Sequence, residues 1–101
     1  MVSISVGNVL SRLGCHADAL EPMQKAVALS PDDAEAHSNL GATFKALGHL
    51  QEAQASYQRA LQIKPDYVQA HYNLGNTLQA LGQLEQAEMS YRNALQLAQD
   101  F

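Results

Sequence analysis

Four histidines and one cysteine are the side chains in this sequence best suited to chemistry. Cys15, His16 and His49 are thiol and imidazole groups of the kind that hold zinc or nickel, and the sequence pattern puts all three in turns along one edge. They supply no fourth partner, whereas a structural zinc ion is enclosed on all sides. His37 and His71 stand 34 residues apart at equivalent places. No acid recurs beside them, so they read as half-buried rings packing between helices. As a nucleophile, Cys15 has only His16 beside it and nothing to orient that base. The glycines form no phosphate loop, since no G-x-x-x-x-G-K occurs. Asp32 and Asp33 read as a helix start rather than as paired catalytic carboxylates. These residues point to no enzyme, no metal and no cofactor.

The elements that must carry them are helices. Alanine, leucine and glutamine dominate, there is no tryptophan, and only three residues are proline, so composition reads as all-α. A hydrophobic content of 47% is ample for a core in one domain. The net charge is −4, and the six bases are scattered along the chain, which gives nucleic acid no phosphate-neutralising platform. No apolar run approaches the ~20 residues a bilayer span needs, so no membrane partner is expected. Met1 to Val9 lacks a basic start and is broken by Ser3, Ser5 and Asn8, unlike a secretion signal. A lone cysteine fits a reducing compartment, and a cytoplasmic location is the expectation.

Self-comparison organises the chain. Shifting 34–67 onto 68–101 matches 17 of 34 positions without a gap, where unrelated segments of this composition match at about two. The same shift lays 1–33 over the middle segment, giving units of 1–33, 34–67 and 68–101. Val6/Leu10/Leu13, Leu40/Phe44/Leu47 and Leu74/Leu78/Leu81 form the apolar stripe of a first helix. Gly14, Gly48 and Gly82 follow as left-handed stops. Gly7, Gly41 and Gly75 are small where two helices approach, as are the alanine pairs 19/26, 53/60 and 87/94. A second stripe runs through Leu50, Ala53, Tyr57, Ala60 and Leu61, and again through Leu84, Ala87, Tyr91, Ala94 and Leu95. Pro31 and Pro65 end it. Asp32 with Glu35, and Asp66 with Gln69, have the spacing of capping boxes for the next helix.

With these glycines, alanines, tyrosines and prolines in place, the chain resembles the tetratricopeptide family in three tandem repeats over essentially its whole length. The resemblance implies a right-handed superhelical solenoid of antiparallel helix pairs, with the first helices lining a concave face. That face would carry Ile4, Ser5, Asn8, Ser11 and Arg12, then Glu35, Ser38, Asn39, Ala42 and Lys45, then Gln69, Tyr72, Asn73, Asn76 and Gln79. A primary amide has donors and an acceptor and can bracket a peptide group. Asn39 and Asn73, one repeat apart, would start a ladder gripping the backbone of an extended protein or peptide partner. Some relatives hold a chaperone's acidic terminus through two asparagines and three bases. Asn8 and Asn39 match the asparagines, but Ile4, Gln69 and Asn73 occupy the basic places, which leaves a carboxylate without a charged partner. The Y-N-L-G-N run at Tyr72–Asn76 is also similar to arrays that present substrates to protein glycosyltransferases of the N-acetylglucosamine type.

Departures mark the first repeat and the ends. Ser3, His37 and His71 replace the family's tryptophan, Gln99 replaces its terminal proline, and Met23 replaces the tyrosine. Pro22 either kinks the second helix of repeat one or sits in its first turn, the helix then starting late at an Asp18–Glu21 capping box. The chain stops where a third repeat ends and is read as a piece of a longer array, or as one that self-associates through Tyr91, Leu95 and Phe101. For the Cys15, His16 and His49 edge, added zinc is expected to leave the thermal midpoint unchanged. A rise in the midpoint would mark a structural ion.

Overall fold

The computed structural model describes residues 16–99, which form five α-helices joined by short turns. They are α1 (His16–Leu29), α2 (Ala34–Ala46), α3 (Leu50–Ile63), α4 (Val68–Ala80) and α5 (Leu84–Gln99). Each helix packs chiefly on its neighbours in the chain, and the one further contact, α2 with α4, is slight. That nearest-neighbour pattern is a solenoid rather than a closed bundle.

The turn inside each hairpin is set by glycine. Gly48 and Gly82 both have φ of 81°, the left-handed region in which a Cβ is penalised. The amide of Gly48 donates to Lys45 O at 3.0 Å and that of His49 to Phe44 O at 2.8 Å, which is the Schellman arrangement. Gly82 and Gln83 repeat it on Gln79 and Leu78. The His49 ring lies 6.1 Å from the Phe44 ring, the side-chain contact that accompanies this motif.

Closure of the hairpin depends on a second glycine. A Cβ built on Gly41 would stand 2.9 Å from the Tyr57 ring, and one on Gly75 would stand 2.8 Å from the Tyr91 ring. Tyr57 is buried beneath the next hairpin in a cluster with Ala53, Leu74, Leu78 and Ala87, against which Phe44, Leu61 and Tyr91 pack. Ala34, Ala60 and Ala70 make the neighbouring cluster, with Leu61, Ile63 and Tyr67 on its border. Ala19, Ala26 and Ala94 are buried like their counterparts. Leu95, in the second stripe, is instead exposed, and so is Leu84. Its counterpart Leu50 lies beside Leu81 of the following hairpin, and no such neighbour covers Leu84 among the described residues.

His37 and His71 join consecutive hairpins. Each ring brings Nε2 to 2.8 Å from the carbonyl oxygen of the proline six residues earlier, Pro31 and Pro65. With the proton on that nitrogen, the ring donates to an acceptor left open at the inter-hairpin turn. Lys64 Nζ sits 5.0 Å from the centre of the Tyr67 ring at the same junction.

Two expectations need correction. The N-cap of α2 is Asp33, whose carboxylate accepts from the Ala36 amide, so the expected box of Asp32 with Glu35 lies one residue out of register. Asp32 turns outward to Arg59, 3.6 Å away. The N-cap of α4 is Tyr67 and makes no side-chain bond, so Asp66 and Gln69 form no box. Nor does the Pro22 helix start late. It is already helical from His16, and Pro22 lies inside it. Gly7, Gly14 and the stripe Val6/Leu10/Leu13 fall outside the described residues.

The two kinds of glycine should respond differently to alanine. Gly41→Ala is expected to lose about 1–3 kcal/mol through overpacking against Tyr57. Gly48→Ala, where no atom lies within 4 Å of the new Cβ, should lose about 1–2 kcal/mol through its backbone alone. Denaturant unfolding of both variants checks this. Burial also pushes the Tyr57 phenol up from 10.0 to about 12. The folded protein keeps this proton where the unfolded chain releases it, so stability should fall as pH rises from 10.0 towards about 12. Tyr57→Phe is expected to abolish that fall in denaturant midpoint.

Candidate functional site

The face expected to receive a partner is carried by α2 and α4, the first helices of two consecutive hairpins. Of its residues, Glu35, Ala42, Gln69, Tyr72 and Gln79 are exposed, and Asn39, Lys45, Asn73 and Asn76 are half-buried. Ser38 is buried. Asn8 and Arg12, with Ile4, Ser5 and Ser11, lie outside the described residues.

Asn39 and Asn73 have the same backbone setting. The carbonyl of Asn39 accepts from Thr43 Oγ1 at 3.1 Å, and that of Asn73 accepts from Thr77 Oγ1 at 3.0 Å. Both threonines are almost fully buried, bonding one helical turn back rather than outward. Thr43 Oγ1 also lies 2.8 Å from Met23 Sδ, so its one hydrogen is shared between sulfur and carbonyl. At the side-chain level Asn39 stands out. Its Nδ2 is buried and has no hydrogen-bond partner, the one such side-chain atom among the described residues.

The third hairpin brings several expected residues together around one that the sequence did not single out for this face. The Tyr91 hydroxyl, on α5, is hydrogen-bonded to Asn76 Oδ1 and lies 3.1 Å from Gln79 Oε1, both on α4. The Tyr91 ring centre is 5.7 Å from that of Tyr72, with the planes tilted by 56°. Beside these rings is an open apolar hollow of about 550 Å³, lined by Val68, Gln69, Tyr72, Tyr91, Ala94, Leu95 and Ala98. The recurring tyrosine was visible in the sequence, and the signal for its role was the change of its first-helix partners. Ala42 and Lys45 in the middle unit become Asn76 and Gln79 in the third.

The expected histidine edge looks different. His49 Nδ1 is 3.1 Å from Glu52 Oε2, within its own helical turn. Cys15 and the His16 side chain lie outside the described set. Among the described residues, no three His, Cys, Asp or Glu side chains gather as a metal ion would require. No helix among them is long and apolar enough to cross a membrane.

Similar folds occur in solved structures. The crystal structure of MamA superposes with a TM-score of 0.91 at 22% identity, covering 97% of this chain and 57% of that one. MamA 41-end from Desulfovibrio magneticus RS-1 gives 0.93 at 23%, covering 97% and 55%. The second TPR of Spaghetti (RPAP3) bound to HSP90 peptide SRMEEVD gives 0.92 at 21%, covering 95% and 89%. At these identities the likeness shows the fold. The chain spans a little over half the length of the MamA chains. No curated protein matches the sequence. Family models do: one described as TPR repeat matches 7–48 and 43–82, and one described as Tetratricopeptide repeat matches 68–101. With its paired glycines, its tyrosine-closed hairpins and these matches over nearly all its length, the chain belongs to the tetratricopeptide repeat family.

Proposed function

We propose that this array is a protein-interaction module that holds an extended polypeptide segment along the α2 and α4 face, with Asn39 and Asn73 gripping its backbone. The observation that carries the reading is the buried, unpartnered Asn39 Nδ2. A buried donor without an acceptor costs about 1–3 kcal/mol. Rotation of the side chain towards a ligand carbonyl recovers that loss. Asn73 offers the same group one repeat further on, behind the same threonine-bonded carbonyl.

Support also comes from the fold shared with the second TPR of Spaghetti (RPAP3), a structure that contains an HSP90 peptide. The ligand chemistry differs here. Ile4, Gln69 and Asn73 stand where charged clamping of a terminal carboxylate needs bases, so recognition rests on amides rather than cations. Such contacts are weak singly and tolerant of sequence, as suits a scaffold rather than a catalyst.

A second reading keeps the same face and changes the parent. The Y-N-L-G-N run at Tyr72–Asn76 favours a substrate-presenting part of a protein glycosyltransferase of the N-acetylglucosamine type. The sequence of the full gene product separates the two: an adjoining α/β catalytic region supports the enzyme, and further repeats alone support the scaffold.

The groove is tested with Asn39→Ala/Asn73→Ala beside the unmodified chain. Partners captured by the unmodified chain should bind the variant on the order of 30-fold more weakly, two hydrogen bonds at about 1 kcal/mol each, with no fall in the melting midpoint. Equal affinity for both proteins removes the asparagine ladder.

A further inference from the structure

We propose that the middle repeat selects its segment by charge: Lys45 receives an acidic side chain and Glu35 a basic one, on either side of the place where the segment crosses Asn39. The inference rests on the groove reading above and names the ligand chemistry of that same face.

Glu35 stands in the first turn of α2 and Lys45 in its last. With a rise of roughly 1.5 Å per residue, Glu35 lies about 6 Å to one side of Asn39 along the helix and Lys45 about 9 Å to the other. The residue between Asn39 and Lys45 that is exposed on this face is Ala42, whose methyl group leaves the way over it open. An asparagine that grips the N–H and C=O groups of a segment from below leaves the side chains of that segment to stand sideways. Successive ones point to opposite sides. Two neighbouring residues of the segment therefore face the two ends of α2, one towards Lys45 and the other towards Glu35.

Neither charge is used within the row. Lys25, Arg59 and Arg92 are each paired with a carboxylate, and Lys64 lies over the Tyr67 ring. Among the described residues Lys45 is the one lysine or arginine with neither kind of partner, and Glu35 is in no ion pair. Residues 1–15 contain no aspartate or glutamate, so they bring Lys45 no carboxylate side chain. The helix dipole would by itself explain an acid in a first turn and a base in a last turn. The comparison with α4 weighs against that explanation. Both helices have 13 residues, yet α4 has Gln69 and Gln79 at the two places and no charge in either end turn. A first helix of this row therefore forms without the charged pair, which leaves Glu35 and Lys45 for a ligand. The third repeat keeps the amide at Asn73 and is neutral on both sides of it, so the selection belongs to the middle repeat.

The test uses three blocked peptides, acetyl-Ala-Ser-Glu-Lys-Ser-Ala-amide and its counterparts with Gln-Gln and Glu-Glu at the centre. Each is titrated into the isotope-labelled full chain and followed by NMR at the Asn39 and Asn73 side-chain amides. In low salt the Glu-Lys peptide should bind about fivefold more tightly than the Gln-Gln one, as two exposed ion pairs allow. In about 1 M salt, where screening acts over roughly 3 Å, that preference should disappear. The Glu-Glu peptide should gain nothing over Gln-Gln, because one of its acids meets Lys45 and the other meets Glu35. Lys45→Gln and Glu35→Gln give α2 the residues that α4 carries at these places, and each should reduce the preference about twofold, with the thermal midpoint recorded as a folding control. Equal binding of the Glu-Lys and Gln-Gln peptides overturns the charge reading and leaves the groove reading standing. So does a preference that survives Lys45→Gln unchanged. Tighter binding of Glu-Glu than of Glu-Lys overturns the pairing. Absence of saturable binding by all three overturns this inference together with the groove.

Discussion

The contact on which the structure depends is a tyrosine ring packed against glycine backbone, Tyr57 on Gly41 and Tyr91 on Gly75. It brings the two helices of a hairpin closer than any side chain at the glycine would allow, and it sets the direction in which the ring edge points. In the middle hairpin the ring is then roofed by Leu74 and Leu78 of the next first helix, so one residue both closes its own hairpin and seats the next. Buried alanines at 53, 60, 70 and 87 keep the surrounding surfaces smooth enough for that stacking. The core is therefore built from small residues around a few rings rather than from a mass of large aliphatic side chains.

The first helices carry a polar, partly exposed face beside this core. The threonines at 43 and 77 turn their hydroxyls back onto the helix, which keeps their polarity out of the core while the neighbouring asparagines remain uncommitted. The two tyrosines differ in cover and in first-helix partners: Tyr57 is roofed and isolated from water, and Tyr91 keeps its hydroxyl on the amides of Asn76 and Gln79.

Much of the architecture was legible because it is periodic. The glycines at 41, 48, 75 and 82, the alanines and the tyrosines recur at fixed spacing, and each has one explanation that the structure bears out, backbone conformation for Gly48 and Gly82 and close packing for the others. What did not repeat, or repeated ambiguously, was harder to read. Asp32 and Asp33 are adjacent acids, and spacing alone cannot choose between them as the cap; backbone geometry chose Asp33. His37 and His71 were read as packed rings, but their bond to a proline carbonyl six residues back joins two elements that no helical period relates. The Tyr91 contacts with Asn76 and Gln79 cross from one helix to another at positions where the repeats differ, so self-comparison could not expose them. Asn39 and Asn73 were found through their recurrence, but burial of the Asn39 amide nitrogen is a property of packing.

Contacts that run almost wholly between chain neighbours have a mechanical result. Among the described residues no distant element braces the row, so the seat of α4 on α3, with its slight contact to α2, sets the pitch at which successive first helices follow one another. The histidine-to-proline bonds sit at these junctions, one to each step. A row held by neighbour contacts concentrates any adjustment of its pitch at the junctions between hairpins, so its shape is the sum of a few similar steps.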